Sequence, residues 1–214
     1  MPKSIIVTFG WTETPVIGAA VRHGLEPGDR IILLKPADSD ERSERAINDL
    51  RVFLRNIPGI ELIEREVDVS DFVSTIMSIK KIIENEKIGR DIIVNLSGGM
   101  RILVLATYLV SLFMKNVNVE IESENRKVRL MLPSIDMIQV SRLKSNHIRL
   151  LSLLGLFGGT CLVKDLINAS KMSRSTFYAH TKDLKKMGLI ERVSKRGILK
   201  ITDKGILLVT LLKR

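Results

Sequence analysis

Cysteine is nearly absent: Cys161 stands alone in a chain of 214 residues. A single thiol excludes an intrachain disulfide and any metal site built on cysteines, and it fits a reducing, cytoplasmic setting. Histidine is scarce as well. His23, His147 and His180 are the three, each falls on a predicted helix, and surface or packing roles are expected for them. No His, Asp or Glu cluster with the pattern of a standard active site stands out, so the expectation is a protein that is not an enzyme and carries no metal or cofactor. Long hydrophobic runs are missing too. The longest, Ile102 to Met114, falls short of the roughly 20 residues that a bilayer span requires, so it reads as a buried helix and no membrane partner is expected. Met1-Pro2-Lys3 leads straight into a strand-like run without a signal-peptide pattern. Neither the dinucleotide fingerprint G-x-G-x-x-G nor a Walker Gly-Lys-Ser/Thr occurs, which counts against nicotinamide and nucleoside triphosphate binding.

The composition that remains is that of a globular protein able to bury a core, with 45% hydrophobic and 27% charged residues. The informative quantity is how the net charge of +10 divides. From Ser145 to Arg214 there are 14 lysines and arginines against 4 aspartates and glutamates; from Met1 to Lys144 there are 20 of each. All the excess positive charge lies in the last third, which points to a polyanionic partner for that part alone.

Along the first 132 residues strand and helix signals alternate. Ser4–Phe9, Arg30–Leu34, Glu61–Val69 and Asp91–Asn95 read as strands. Thr14–His23, Asp40–Asn56, a helix capped by Ser70 or Asp71 and running to about Lys87, and a long apolar helix reaching Met114 read as helices. Asn118–Glu122 and Val128–Leu132 read as a hairpin turning near Asn125. This rhythm predicts an α/β, Rossmann-like domain over 1–132, with a mostly parallel sheet, helices on both faces and strand order 3-2-1-4-5. Residues 133–145 read as a linker.

The segment 146–214 has another rhythm. Its predicted helices are His147–Phe157, with Ile148, Leu151 and Leu154 on one face, then Cys161–Asn168 capped by Thr160, then one capped by Ser173 and ending near Met187. Two short strands, Leu189–Val193 and Gly197–Ile201, and a last helix, Asp203–Leu212, follow. Three helices and a hairpin make a C-terminal winged helix-turn-helix domain, whose third helix enters the major groove of double-stranded DNA. With Phe177, Thr181 and Leu184 turned to the core, Ser173, Arg174, Ser175, Thr176, Tyr178 and Lys182 face outward. Arg174 is suited to guanine, Lys185 and Lys186 to phosphates, and Lys195 and Arg196 at the hairpin tip to the backbone or minor groove.

A Rossmann-like sheet binds ligands beyond the carboxyl ends of its strands, where the strand order reverses. Two such ends become neighbours in the predicted order. One is Thr8-Phe9-Gly10-Trp11-Thr12-Glu13; the other is Asn95-Leu96-Ser97-Gly98-Gly99-Met100-Arg101. The second opens a helix, whose free N–H groups attract an anion. Ser97 adds a hydroxyl, Arg101 a forked cation, and Trp11 a surface on which a base can stack.

These two loops, together with a C-terminal winged helix, resemble the archaeal CRISPR-associated Rossmann-fold (CARF) regulators of the Csa type. The resemblance implies a homodimer in which paired Rossmann domains form one symmetric pocket for a cyclic oligoadenylate, typically with four adenylates. Thr8, Gly10, Trp11, Asn95, Ser97, Gly98, Gly99, Met100 and Arg101 would line it, and the winged helices would bind promoter DNA. Two alternatives stay open: a ring nuclease that cleaves the cyclic ligand, and a regulator that senses another nucleotide or metabolite.

Overall fold

In a computed structural model the described residues are 1–38, 40–132, 140–194 and 197–212. The chain divides into two compact units, Met1–Ser134 and Ile135–Arg214.

The first unit is a six-stranded sheet in the order β3-β2-β1-β4-β5-β6. Its strands are β1 (Lys3–Thr8), β2 (Arg30–Pro36), β3 (Glu61–Val67), β4 (Asp91–Asn95), β5 (Val117–Glu122) and β6 (Arg129–Leu132). The first five are parallel, and β6 runs antiparallel to β5 at the edge. The expected Rossmann-like α/β fold and strand order are what the molecule shows. After β3 the chain crosses to the far side of β1, so β1 and β4 flank the reversal of strand order.

Helices α1 (Thr14–His23), α2 (Glu41–Leu54), α3 (Phe72–Glu86) and α4 (Arg101–Leu112) cover the sheet. Their boundaries follow from caps and spacing. Asp40 accepts a hydrogen bond from Ser43 N at 3.0 Å and starts α2; Asp71 accepts from Ser74 N at 2.7 Å and starts α3. Ala46, Ile47, Leu50 and Leu54 bury one stripe of α2, while Ile79 and Ile83 bury one stripe of α3. Adjacent residues of each central strand enter opposite layers. Ile6, Ile32 and Val94 pack with α3 and α4 residues; Ile5, Ile31 and Ile93 pack with α1 and α2 residues. Burial on both faces is why these strands are apolar throughout rather than alternating.

The second unit holds α5 (Ser145–Leu156), β7 (Thr160–Leu162), α6 (Val163–Ser170), α7 (Arg174–Lys186), β8 (Ile190–Ser194), β9 (Ile198–Ile201) and α8 (Asp203–Leu212). The three strands form a small antiparallel sheet in the order β7-β9-β8. Two expectations are corrected here. Thr160 does not cap a helix: Thr160–Leu162 pairs with Lys200–Ile198, with Cys161 buried between two exposed neighbours, and the helix starts only at Val163. In α5 the inward positions are His147, Leu150, Leu151 and Leu154, and Ile148 is only half-buried. The short link from α6 to α7 turns through Lys171 in the left-handed region at φ 54° and ends on Ser173, whose hydroxyl accepts from Thr176 N at 3.2 Å. Residues 133–139 of the expected linker lie outside the described residues.

Phe177 and Leu184 of α7 are fully buried. Phe177→Ala is expected to destabilise the second unit by roughly 3–5 kcal/mol, seen as an earlier transition in denaturant. Lys182→Ala, on the exposed face, is expected to leave that transition within about 0.5 kcal/mol.

Candidate functional site

The loops after β1 and β4 meet backbone to backbone. Thr8 Oγ1 donates to Gly98 O at 2.6 Å. A Cβ on Gly99 would stand 2.9 Å from Thr8 C and 3.0 Å from Phe9 O; a Cβ on Gly10 would stand 3.0 Å from Gly99 N. Gly99 also sits at φ +90°, a conformation that side-chain-bearing residues rarely adopt. The contact therefore needs glycine on both sides. Phe9 N donates to Leu34 O at 2.8 Å and ties the first loop to β2 as well.

A polar hub braces the second loop. Asn95 is fully buried, donates through Nδ2 to Glu120 Oε1 at 2.6 Å, and accepts from Ser97 N at 2.9 Å. Ser97 Oγ accepts from Glu122 N at 2.9 Å. The Glu120 carboxylate, wholly removed from solvent, also meets Arg22 Nη2 at 3.1 Å and His23 Nε2 at 3.0 Å. Burial alone raises the pKa of that carboxyl. The hydrogen bonds from His23, Asn95 and Arg22 outweigh it and hold the group below the ordinary glutamate range.

The expected site residues thus divide. Thr8, Phe9 and Asn95 do not present side chains to a ligand. They are 1%, 1% and 0% exposed, and the polar ones are spent on the loop contacts just described. Trp11, Thr12, Met100 and Arg101 are exposed, and Gly10, Glu13, Ser97, Gly98 and Gly99 are partly so. Helices α1 and α4 both start here: the first turn of α4 has no side-chain cap, whereas at α1 Thr14 N donates to Thr12 Oγ1 at 3.3 Å, Pro15 has no N–H and Val16 N donates to Glu13 O at 3.0 Å. The free N–H groups beside the glycine contact are therefore those of the α4 start, where Arg101 is exposed, while both helices turn their positive ends to this side. One residue escaped sequence reasoning: Arg42, in the first turn of α2, places its guanidinium carbon 6.0 Å from the centroid of the Trp11 ring. Arg42 and Trp11 are 31 positions apart, and no local pattern announces the pairing.

In the second unit, Ser173, Arg174, Ser175, Tyr178, Lys182 and Lys185 are exposed on α7 and Thr176 is half-buried; Phe177, Thr181 and Leu184 point inward. Ser173 Oγ lies 3.0 Å from Ser175 Oγ and 2.8 Å from Thr176 Oγ1, so the start of α7 carries three hydroxyls joined through Ser173. Lys195 and Arg196 lie outside the described residues.

The structure also gathers His147, His180 and Asp183, a set with the composition of a metal site. Proton placement argues otherwise. Lys144 N donates to His147 Nδ1 at 3.1 Å, so the neutral ring carries its proton on Nε2, which points at His180 Nδ1 at 2.9 Å. A metal would need the lone pair that this proton occupies. Arg142, Lys144 and Lys186 line the adjoining cavity of about 320 Å³ and oppose a dication. Burial, then the neighbouring His180, push the His147 pKa down and favour the neutral ring. These histidines are packing residues joined by a hydrogen bond.

The family model described as the Csa3 CRISPR-associated Rossmann-like domain matches residues 3–133. Among solved structures, Enterococcus italicus Csm6 bound to cyclic hexa-2'-fluoro-hexa-dAMP aligns with a TM-score of 0.52 at 12% identity, over 87% of this chain and 53% of that one. Protein VC1899 from Vibrio cholerae aligns with a TM-score of 0.49 at 14% identity, over 97% of this chain and 64% of that one. The chain thus spans between about half and two thirds of the length of these two proteins. No curated protein matches it. Among the described residues no helix is long and apolar enough to cross a membrane.

The hub makes the fold acid-sensitive. A carboxyl whose pKa is lower folded than unfolded stabilises the fold fully above the unfolded value, 4.5 for a glutamate, and that share is lost as pH falls through the folded value. Denaturant midpoints measured from pH 7 down to pH 3 are expected to fall less steeply for Glu120→Gln than for the parent chain. Equal slopes would mean that Glu120 is not held ionised by its partners.

Proposed function

The chain belongs to the family of the Csa3 CRISPR-associated Rossmann-like domain, and from that premise we propose that it is a ligand-responsive transcription regulator. In this reading the first unit, a CARF domain, binds a cyclic oligoadenylate, of four adenylates by the family resemblance, and the second unit binds promoter DNA as a winged helix-turn-helix. The observation that carries the first half is the glycine-locked contact at the reversal of strand order, beside which the uncapped start of α4 and the exposed Arg101 form one patch. That patch offers N–H donors and a guanidinium to phosphates. The Csm6 structure, with cyclic hexa-2'-fluoro-hexa-dAMP bound, shares this fold and carries a ligand of the proposed class. A cyclic anion with two-fold symmetry suits a pocket made from two copies of the patch, so the reading requires a homodimer.

The second half rests on charge and on α7. The segment from Ser145 onward holds the whole net charge of +10, and α7 presents Arg174, Tyr178, Lys182 and Lys185 on the side away from its core. Non-specific attraction by the lysines and base reading by Arg174 are the corresponding roles. Lys195 and Arg196 extend the same charge along the sequence. The reading assigns no bond-breaking step. No histidine lies in either loop, and the Ser97 hydroxyl, the nearest candidate for chemistry, is held by the backbone of β5. Binding without turnover is what these groups support.

Calorimetry is expected to give heat with cyclic tetra-adenylate and no linear product afterwards. Arg101→Ala is expected to weaken that binding by about ten- to a hundred-fold, the worth of a charged hydrogen bond at ~1.5–3 kcal/mol, and to leave DNA binding without ligand unchanged. Arg174→Ala is expected to do the reverse. If both variants lose DNA equally, or if the chain sediments as a strict monomer at micromolar concentration, the reading is wrong.

A further inference from the structure

We propose that Trp11 and Arg42 form a stacking platform for a purine base at the edge of the anion patch, so that the site selects the base as well as the phosphates. This rests on the proposed binding of a cyclic oligoadenylate and adds base recognition to it. Trp11 is 68% exposed although its indole is the largest apolar surface in the two loops. It stands on the β1–α1 loop directly after two anchored residues: Phe9 N bonds Leu34 O, and Gly10 lies against Gly99. The indole is therefore displayed next to an anchored stretch of backbone. Arg42 sits near one face of the ring, 6.0 Å from its centroid, within the range of a cation–π contact.

Two features make this pair more than a surface residue with a neighbour. Arg42 comes from the first turn of α2, held by the Asp40 cap, so both members sit at helix starts on the carboxyl side of the sheet. A guanidinium near one face also leaves the indole its other face for a planar ligand, and it adds charge within reach of the phosphate attached to the stacked nucleotide. Stacking rewards area: a purine covers the indole more fully than a pyrimidine. The Met100 and Arg101 side holds phosphate, and the Trp11 and Arg42 side holds the base.

Trp11 is the only tryptophan in the chain, so its fluorescence reports the platform directly. Cyclic tetra-adenylate titrated into the full chain is expected to quench that fluorescence with the same midpoint that calorimetry gives, and cyclic tetra-uridylate to bind at least tenfold more weakly. Trp11→Ala is expected to lose about five- to a hundred-fold in affinity by calorimetry, the measured range for one stacked base, with Trp11→Phe recovering most of it. Arg42→Ala is expected to reduce both quenching and affinity, and Arg42→Lys, which keeps the charge without the planar fork, to recover only part. Because Trp11 and Arg42 are both exposed, these variants are expected to melt with the parent. Calorimetric binding with unchanged fluorescence, and with Trp11→Ala as tight as the parent, overturns the platform and leaves the function standing. No heat with either ring overturns the proposed function and the platform together.

Discussion

The structure of the first unit depends on one contact that involves almost no side chains: the backbone of Thr8–Gly10 lying on the backbone of Gly98–Gly99. Sheet topology makes the contact available, because β1 and β4 are parallel neighbours with Val7 opposite Asn95. Their continuations must then leave the sheet side by side. Glycine makes it close: at Gly99 any Cβ would fall within about 3 Å of three backbone atoms. Helix α4 starts directly after this crossing, at Arg101, and α1 follows at Thr14. The placement of the open α4 start follows from sheet register and three missing side chains.

Beneath that contact lies the more expensive device. A carboxylate wholly out of water is tolerated only when its lone pairs are filled, and Glu120 fills them with Asn95, Arg22 and His23. The same residues fix the loop. Asn95 uses its amide on Glu120 and its carbonyl oxygen on Ser97 N, and Ser97 uses its hydroxyl on Glu122 N. A buried polar network of this kind gains from being complete, since removing one member strands the rest. Its role is to hold the glycine loop at a fixed height over β4 and β5, which is why Asn95 sits behind the surface that the loop presents.

What sequence made legible here was periodic or local. Continuous apolar strands alternating with amphipathic helices point to a Rossmann-like sheet, and the strand order of such a sheet brings the two loops together. Ser173 and the inward triple Phe177, Thr181 and Leu184 follow from the same logic in α7. What stayed hidden was non-local or satisfied by burial. Thr8, Phe9 and Asn95 read as site residues because they flank the glycines; only tertiary packing shows that their side chains are used up inside. Glu120 alternates with apolar residues on β5 like any solvent-facing position, yet it is buried, because Arg22 and His23 reach it from α1. Arg42 carries no signal at all until α2 is folded beside the first loop. Thr160–Leu162 reads as the start of a helix in sequence because a three-residue strand offers too few positions to reveal a period of two.

The division of charge bears on how one chain could handle two polyanions. The N-terminal 144 residues balance 20 positive against 20 negative charges, so they exert no long-range pull on nucleic acid. An anion held there has to be held by near contacts: helix N–H groups, Arg101, and a shape that a stiff duplex cannot enter. On the proposed reading the segment from Ser145 onward works in the opposite regime, where a net charge of +10 attracts any phosphate backbone and a few side chains on α7 add selectivity. On the proposed reading this separation keeps the DNA, present at far higher phosphate concentration, from competing for the ligand patch. A sensing unit as basic as its neighbour would bind duplex non-specifically and lose that discrimination, so near-neutrality of the first unit is itself part of the device.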